Sequence, residues 1–325
     1  MLTYVLRRLA QSALVLLAMS ALVFVGVYAI GNPVDILINP QADQAEIARA
    51  TAALGLDKPL PVQYWHFLQG ALGGELGRSF SSNVPAMDLI LQRMPATVEL
   101  ALAAIVIALV LGLPLGLWAG LHPESASSKA IMAGSIVGFS LPTFWVGLML
   151  IMVFSVWLGW LPPTGRGETV EVLGIEVSFL TLDGLRHLAM PALNLALFKL
   201  ALLIRLTRAG TREAMVQDYV RFARAKGVPE KTIVRVHVLK NILIPIVTVV
   251  GLEFGSVIAF AIVTETIFAW PGMGKLLIDS INVLDRPVIV SYLLVIVVLF
   301  VVINLVVDLL YTALDPRVRL SGARA

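Results

Sequence analysis

Charged side chains interrupt long apolar stretches of this sequence at four positions: Lys199, Glu253, Glu265 and Asp308. A charge inside a bilayer is costly, so such residues usually pair with one another or face a water-filled path. We expect Lys199 to pair with Glu253 or Asp308, which would either fix the register of two helices or line a path for a solute. Glu265 lies near the end of its stretch and is expected to reach water.

Three arginines extend the fourth apolar stretch at helical spacing. Arg205, Arg208 and Arg212 fall at positions i, i+3 and i+7, so they share one face of a helix. Cations at the end of a membrane span commonly lie beside anionic lipid headgroups. We expect that location for these three side chains.

A short helix with an apolar face is predicted after these arginines. The predicted face consists of Tyr219, Phe222, Ala223 and Lys226. Gly227 ends the helix where a left-handed residue is favoured, and Pro229 is suited to begin the next helix. An exposed apolar face on the water side usually has a partner, so this face is expected to bind another protein or to pack on the membrane surface.

Catalytic motifs are few. The four histidines fall in separate segments and form no His-Glu-x-x-His pair, which argues against a zinc protease. Gly274-Lys275 resembles part of a phosphate loop, but Leu276 follows where Ser or Thr is needed. No Gly-x-Ser-x-Gly element of a serine protease is present. We therefore predict no catalytic residues, no metal site and no cofactor bound by this chain.

The composition identifies an integral membrane protein. Of the 325 residues, 58% are hydrophobic and only 14% are charged, against about 25% charged in an ordinary soluble protein. So little polar material excludes two soluble domains, a disordered chain and a nucleic-acid-binding module. Cysteine is absent, so disulfide bonds and thiolate metal sites are excluded as well.

Six apolar stretches are long enough to cross a bilayer as helices, which needs about 20 residues each. The stretches are Leu9–Val34, Leu100–Pro123, Ala130–Leu158, His187–Ile204, Asn241–Thr264 and Pro287–Val307. Pro114 and Pro142 lie inside two of them, where proline can kink a helix. The sequence therefore predicts an all-α membrane protein with six transmembrane helices.

The distribution of Lys and Arg predicts the orientation. With the N-terminus inside, the inside segments carry fifteen of the 24 basic residues and the outside segments carry eight, with Lys199 within a span. Nine of the fifteen lie between Arg205 and Lys240. Because basic residues are enriched in cytoplasmic loops, we expect both termini in the cytoplasm.

The longer external segments are expected to contain local structure. Ala42–Leu54 and Pro59–Leu72 have helical spacing. The second carries an amphipathic aromatic face that consists of Tyr64, Trp65, Phe67 and Leu68. Such a face most often packs on the protein or lies among lipid headgroups. The segment from Val170 to Ser178 predicts a small β-hairpin around Gly174.

Several motifs together resemble the dipeptide/oligopeptide/nickel permease family of binding-protein-dependent ABC importers, in its B-type subunit. The motifs are Leu54–Tyr64, Gly74–Phe80, Leu141–Trp145, Tyr219–Gly227, His237–Asn241 with Pro245, Glu265–Gly274 and Asp315–Arg319. The similarity runs from Leu6 to Arg319. The general importer loop has Glu-Ala-Ala, whereas here Ala223-Arg-Ala-Lys precedes Gly227, as in the peptide-transporting variant.

This resemblance implies the fold of a type I ABC importer permease in the bacterial cytoplasmic (inner) membrane. It also implies a second, homologous permease subunit, two ATPase subunits that hold ATP and Mg, and an extracytoplasmic binding protein that delivers the solute. The residues that would contact an ATPase subunit are Tyr219, Phe222, Ala223, Ala225, Lys226 and Gly227. Solute import would then proceed by alternating access, with ATP hydrolysis on the partner subunits and none on this chain.

The implied organisation is a first transmembrane helix with its external segment (residues 1–96), followed by a five-helix permease core (97–320). The core would contain a cytoplasmic coupling loop over residues 205–243. Di- or oligopeptides are the expected solute, and nickel, glutathione or another small solute is the alternative within the same role. A secondary transporter is the alternative from a different class. The chain is expected to contact membrane lipid and no nucleic acid.

Overall fold

A computed structural model describes residues 2–29, 43–53 and 57–314 of the chain. The helices and strands are α1 (Leu2–Ala29), α2 (Gln44–Ala53), α3 (Leu60–Gly73), α4 (Ala86–Leu121), α5 (Ala126–Ser140), α6 (Thr143–Leu150, continued by a π-helix at Ile151–Trp157), β1 (Val170–Val172), β2 (Ile175–Val177), α7 (Leu182–Met215), α8 (Asp218–Ala225), α9 (Glu230–Thr232, continued by a π-helix at Ile233–Val238), α10 (Leu239–Ile267), α11 (Met273–Asn282) and α12 (Arg286–Leu314).

The described residues divide into two units. The first contains the residues up to Met94 together with Lys275–Val302, and the second contains Pro95–Gly274 together with the residues from Ile303. The long helices α4 and α12 each contribute to both units. The helices with the expected contact surface and the buried charges, α7, α8 and α10, belong to the second unit.

Among the described residues, five helices are long and apolar enough to cross a membrane. They cover Arg7–Gly26, Ala86–Leu121, Leu182–Met215, Glu230–Ile267 and Arg286–Val307. The α5–α6 pair makes a sixth span if its two bent halves are counted together. The all-α membrane architecture predicted from the apolar stretches is therefore confirmed.

The third predicted span is not one straight helix. Its two halves, α5 and α6, are bent by 106° at Leu141 and Pro142. Both residues have extended backbone conformations, and proline disfavours the helical conformation in the residue before it. Pro142 thus ends α5 and begins a helix in a new direction, whereas Pro114 lies within the continuous helix α4.

Close packing of α4 on α7 depends on three glycines. A Cβ at Gly112 would lie 2.9 Å from Leu203 Cβ, and a Cβ at Gly116 would lie 2.6 Å from Thr207 Cβ. A Cβ at Gly120 would lie 2.6 Å from Thr211 Cβ, one turn further along α7. Small residues at every fourth position let two helix backbones approach closely, so α4 and α7 form a tightly packed pair.

The segments that the sequence predicts to be external contain the predicted local structure. In the first unit, the rings of Tyr64 and Phe67 on α3 lie 5.3 and 5.6 Å from the ring of Phe24 on α1. Tyr64 and Phe67 of the predicted face therefore pack on the protein, whereas Trp65 is 58% exposed. In the second unit, β1 and β2 form an antiparallel hairpin. Its two turn residues, Leu173 and Gly174, both have positive φ, as a two-residue type I′ turn requires.

Candidate functional site

The short helix α8 begins after Gln217 and ends where the sequence predicted. Gly227 has φ of +77°, in the left-handed region that glycine adopts without a steric penalty. The amides of Gly227 and Val228 donate to the carbonyl oxygens of Arg224 and Ala223, which closes the end of the helix. The next helix, α9, begins at Glu230. Pro229 therefore lies directly before this helix, although the sequence predicted it as the first residue.

The exposed and buried residues of α8 lie on different faces. Phe222 is 62% exposed, and Tyr219 is exposed to a smaller extent. Ala225, Lys226 and Gly227 are exposed as well. Ala223, which the spacing placed on the same face as Phe222, is buried together with Val220. Its expected location is therefore corrected: Ala223 packs inward, and the exposed surface centres on Phe222.

Neighbouring side chains connect α8 to the helices that follow it. The Tyr219 hydroxyl accepts a hydrogen bond of 3.0 Å from Asn241 Nδ2 on α10. Arg224 Nε donates to Glu230 Oε1 on α9 at 2.5 Å, and this hydrogen bond raises the pKa of the Arg224 guanidinium. The Lys226 ammonium lies 4.4 Å from the centroid of the Phe222 ring. A displacement of α8 would therefore act on both following helices.

Of the four charges within apolar stretches, two form an ion pair. Lys199 Nζ on α7 donates to Glu253 Oε2 on α10 and, at 2.9 Å, to Ser256 Oγ. Ser256 Oγ also donates to Glu253 Oε2, at 2.9 Å. Lys199 thus pairs with one of its two expected partners. The side chain of the other, Asp308, lies outside the described residues, as does the motif Asp315–Arg319.

Glu265 does not reach water. It is 0% exposed, and its Oε1 accepts a hydrogen bond of 2.6 Å from Thr97 Oγ1 on α4. The segment after α10 turns back over this carboxylate, so that Gly272 has no room for a side chain beside it. The Met273 amide donates to Thr97 Oγ1 at 2.8 Å, and Trp270 Nε1 donates to the Ala96 carbonyl oxygen. Glu265 therefore holds a folded segment on α4.

Glu99 of α4 is a buried charge that sequence reasoning missed. Its Oε2 accepts two hydrogen bonds from Arg166, at 2.6 and 3.1 Å. Its Oε1 accepts hydrogen bonds from the Ser178 amide and hydroxyl and from the Phe179 amide. These bonds attach the segment containing the hairpin to α4. The only signal in the sequence is a carboxylate directly before a long apolar stretch.

The part of the chain that the structure describes contains no candidate metal site. No group of three or more His, Asp or Glu side chains there could hold a metal ion. The arrangements found are an exposed aromatic surface on α8 and an ion pair between the membrane-spanning helices α7 and α10.

Comparisons with known proteins identify the family of the chain. Residues 112–320 match the family described as binding-protein-dependent transport system inner membrane component, and residues 1–101 match the N-terminal part of such membrane components. The chain is 39% identical to the di/tripeptide transport system permease protein DppB of Pseudomonas aeruginosa strain UCBPP-PA14, over 98% of this chain and 99% of the relative. It is 38% identical to the glutathione transport system permease protein GsiC of Escherichia coli O6:H1, again over 98% and 99%.

The fold agrees with a solved structure as well. An inward-facing structure of the MetNI methionine ABC transporter superposes with a TM-score of 0.54 at 16% sequence identity, covering 71% of this chain and 98% of that chain. At this identity the likeness concerns the fold alone, which is that of a type I ABC importer permease. With the family matching more than half of the sequence, this chain belongs to the binding-protein-dependent transport system inner membrane components, the permease subunits of ABC importers.

Proposed function

We propose that this chain is the translocation subunit of an ATP-driven importer that carries di- and oligopeptides across the cytoplasmic membrane by alternating access. The observation that carries the proposal is the 39% identity to a di/tripeptide permease over 98% of the chain. Glutathione is the second candidate, since a glutathione permease is 38% identical over the same share. Both solutes are short peptides with a free ammonium group and at least one free carboxylate.

The importer would contain a second homologous permease subunit, two ATPase subunits and an extracytoplasmic binding protein. In this proposal ATP and Mg bind to the ATPase subunits, and this chain performs no covalent chemistry. Membership of the importer permease family supports this composition. The nine basic residues between Arg205 and Lys240 support a cytoplasmic location for α8, where it can reach an ATPase.

Phe222 is the proposed anchor of α8 in a groove of the ATPase. An aromatic side chain that is 62% exposed on a short helix supplies a large apolar contact area. The bonds from Tyr219 to Asn241 and from Arg224 to Glu230 would transmit movement of α8 to α9 and α10. Closure of the ATPase dimer on ATP would then reorient the membrane helices.

Uptake into proteoliposomes that contain the complete importer tests this role. A Phe222→Asp variant is expected to lose ATP-dependent peptide uptake while remaining in the membrane, because an aspartate cannot enter an apolar groove. Val236→Asp is the matched control, since Val236 is also an exposed apolar side chain near α8. That control should retain most of the uptake.

Two results would contradict the proposal. Normal uptake by Phe222→Asp at normal expression would refute the role of α8 as a lever. Uptake by this chain in the absence of its ATPase partner would instead indicate a secondary transporter. Competition between labelled dipeptide and unlabelled glutathione distinguishes the two solutes, because the preferred solute suppresses uptake at the lower concentration.

A further inference from the structure

Charged and aromatic side chains form a continuous row on three helices of the second unit. From one end to the other, the row consists of Glu253, Lys199, Phe198, Phe139 and Arg205. Beyond the ion pair, Lys199 Nζ lies 5.2 Å from the centroid of the Phe198 ring. The Phe198 and Phe139 rings stack with centroids 4.5 Å apart. Arg205 Cζ lies 4.9 Å from the Phe139 centroid. We call this set the aromatic row.

Each end of the aromatic row carries charged atoms that other described residues leave open. Both hydrogen bonds to the Glu253 carboxylate reach Oε2, and Oε1 accepts none from the described part of the chain. Arg205 donates from Nε to the Ala201 carbonyl oxygen at 3.3 Å, and its two terminal nitrogens donate to no described residue. An acceptor at one end and donors at the other are therefore available to a ligand.

The aromatic row is also accessible from outside the chain. The Phe139 and Phe198 residues are 42% and 39% exposed, and the Glu253 side chain is 29% exposed. Lys199 and Glu253 lie well inside helices that cross the membrane. A partly exposed charge at that depth is unfavourable against hydrocarbon, so the occupant of this surface must be polar.

We propose that the aromatic row is the surface on which this chain contacts its solute during transport, and that the solute is a short zwitterionic peptide. The peptide ammonium would donate to Glu253 Oε1, and the peptide carboxylate would accept from the Arg205 guanidinium. The two phenylalanine rings would contact the apolar part of the peptide between its ends. This inference rests on the proposed function and adds the residues that recognise the solute.

The length of the row fits such a solute. Arg205 follows Lys199 by six positions on α7, which places it about 9 Å further along the helix axis. An extended peptide spans about 3.3 Å per residue, so a tripeptide has a similar length between its charged ends. An anionic lipid headgroup could bind Arg205 but carries no cation for Glu253 Oε1. The open acceptor at one end and the open donors at the other therefore favour a zwitterion over a lipid.

Substitution of Arg205 and Glu253 at the two ends of the row tests the proposal. The assay uses proteoliposomes that contain the complete importer, with the solute-loaded binding protein at a saturating concentration. We expect Arg205→Gln and Glu253→Gln each to lower tripeptide uptake about tenfold to hundredfold, the usual effect of removing a hydrogen bond to a charged group. ATP hydrolysis should continue, and Arg205→Lys should recover part of the uptake. Lys129→Gln removes an exposed cation of α5 outside the row and is the control.

Crosslinking identifies the occupant directly and does not depend on the stability of a charge variant. With Phe139→p-benzoylphenylalanine, illumination during ATP-driven uptake should label the tripeptide. The same photoreactive residue at the exposed position Val110 of α4 is the control and should not label it. Labelling only of lipid or of the second permease subunit from position 139 would overturn the proposal.

The two proposals fail in distinguishable ways. If the unsubstituted importer takes up no peptide, the proposed function is wrong. If it takes up peptide and both glutamine variants do so at the same rate, the function stands and the aromatic row is not the contact surface. If uptake and ATP hydrolysis fall together in both variants, the row acts in coupling and the proposal about the solute is wrong.

Discussion

Thr97 Oγ1 donates a hydrogen bond of 2.6 Å to the fully buried carboxylate of Glu265, and the same hydroxyl oxygen accepts a bond from the Met273 amide. One side chain of α4 thus joins the end of α10 to the segment that follows it. Because the carboxylate has no access to water, each of these bonds replaces a lost bond to solvent. An unpaired polar group here would carry the full desolvation penalty.

Replacing Thr97 with valine should therefore destabilise the protein. The change keeps the shape of the side chain but leaves the Met273 amide unpaired and removes one donor to Glu265. We expect the free energy of unfolding to fall by about 1–3 kcal/mol, measured by thermal or denaturant unfolding in detergent. Thr266→Val is the control, because the exposed Thr266 hydroxyl donates to the Ile262 carbonyl oxygen of its own helix. An equal loss in both variants would contradict this role of Thr97.

A methyl group at Gly116 should disturb the packing of α4 on α7. A Cβ there would lie 2.6 Å from Thr207 Cβ and 2.7 Å from the Ile204 carbonyl oxygen, so the two helices must separate. We expect Gly116→Ala to lower stability by about 1–3 kcal/mol. Gly134→Ala on α5 is the control, because no atom lies within 4 Å of its Cβ position, and it should be neutral or slightly stabilising. Unchanged unfolding of Gly116→Ala would refute the close contact.

Neutralising Glu99 should release the hairpin segment from α4. Glu99→Gln removes the charge that binds Arg166 and weakens three further bonds from Ser178 and Phe179. Local opening exposes a segment to protease, so limited chymotrypsin digestion should cleave near Leu173 several-fold faster than in the unsubstituted protein. Glu171→Gln alters an exposed carboxylate of the same hairpin and should leave the rate unchanged. Equal rates for all three proteins would exclude this attachment.

Asp285 should make the first unit sensitive to acid. Burial raises the pKa of its carboxyl, but hydrogen bonds from Ser79, the Phe80 amide and Ser81 lower the pKa by more, so the net shift is downward. A lowered pKa in the folded state contributes stability that is present above the unfolded pKa, about 3.9, and is lost as the pH falls through the folded value. The unfolding temperature should therefore drop more steeply on acidification below about pH 4 in the unsubstituted protein than in Asp285→Asn.

The matched control for the acid transition is Asp279→Asn. Asp279 forms an exposed ion pair with Lys275 one helical turn away, and such pairs contribute little to stability. Its substitution should leave the acid dependence unchanged. The same acid dependence in Asp285→Asn as in the unsubstituted protein would show that the loop at Ser79 does not depend on the charged carboxylate.

Local features of the fold follow from the sequence alone. Apolar length predicts the membrane helices, because a helix in a bilayer must satisfy its own backbone hydrogen bonds. The left-handed end of α8 follows from Gly227, and the hairpin turn follows from Gly174, since few other residues tolerate positive φ. Pro142 indicated that the third stretch could be kinked, and the angle of 106° comes from the structure.

The candidate site was predicted in part. Helical spacing predicts that Phe222 belongs to a contact face, but it does not predict that Ala223 is buried together with Val220. Lys199 had two possible partners in sequence, and proximity of α7 and α10 selects Glu253. The Phe139 and Phe198 rings stack although the two residues are 59 positions apart, and no local pattern in the sequence predicts this contact.

The sequence by itself therefore determined which segments enter the membrane, where the short helices end and which residues carry charge into the apolar stretches. The tertiary structure alone decided that Lys199 and Glu253 pair and that Glu265 is buried. Glu265 illustrates the difference: it was expected in water and is fully buried, because a segment beyond it folds back onto Thr97. Burial and pairing depend on contacts between residues far apart in the chain, and hydrophobic periodicity reports only the local environment of each segment.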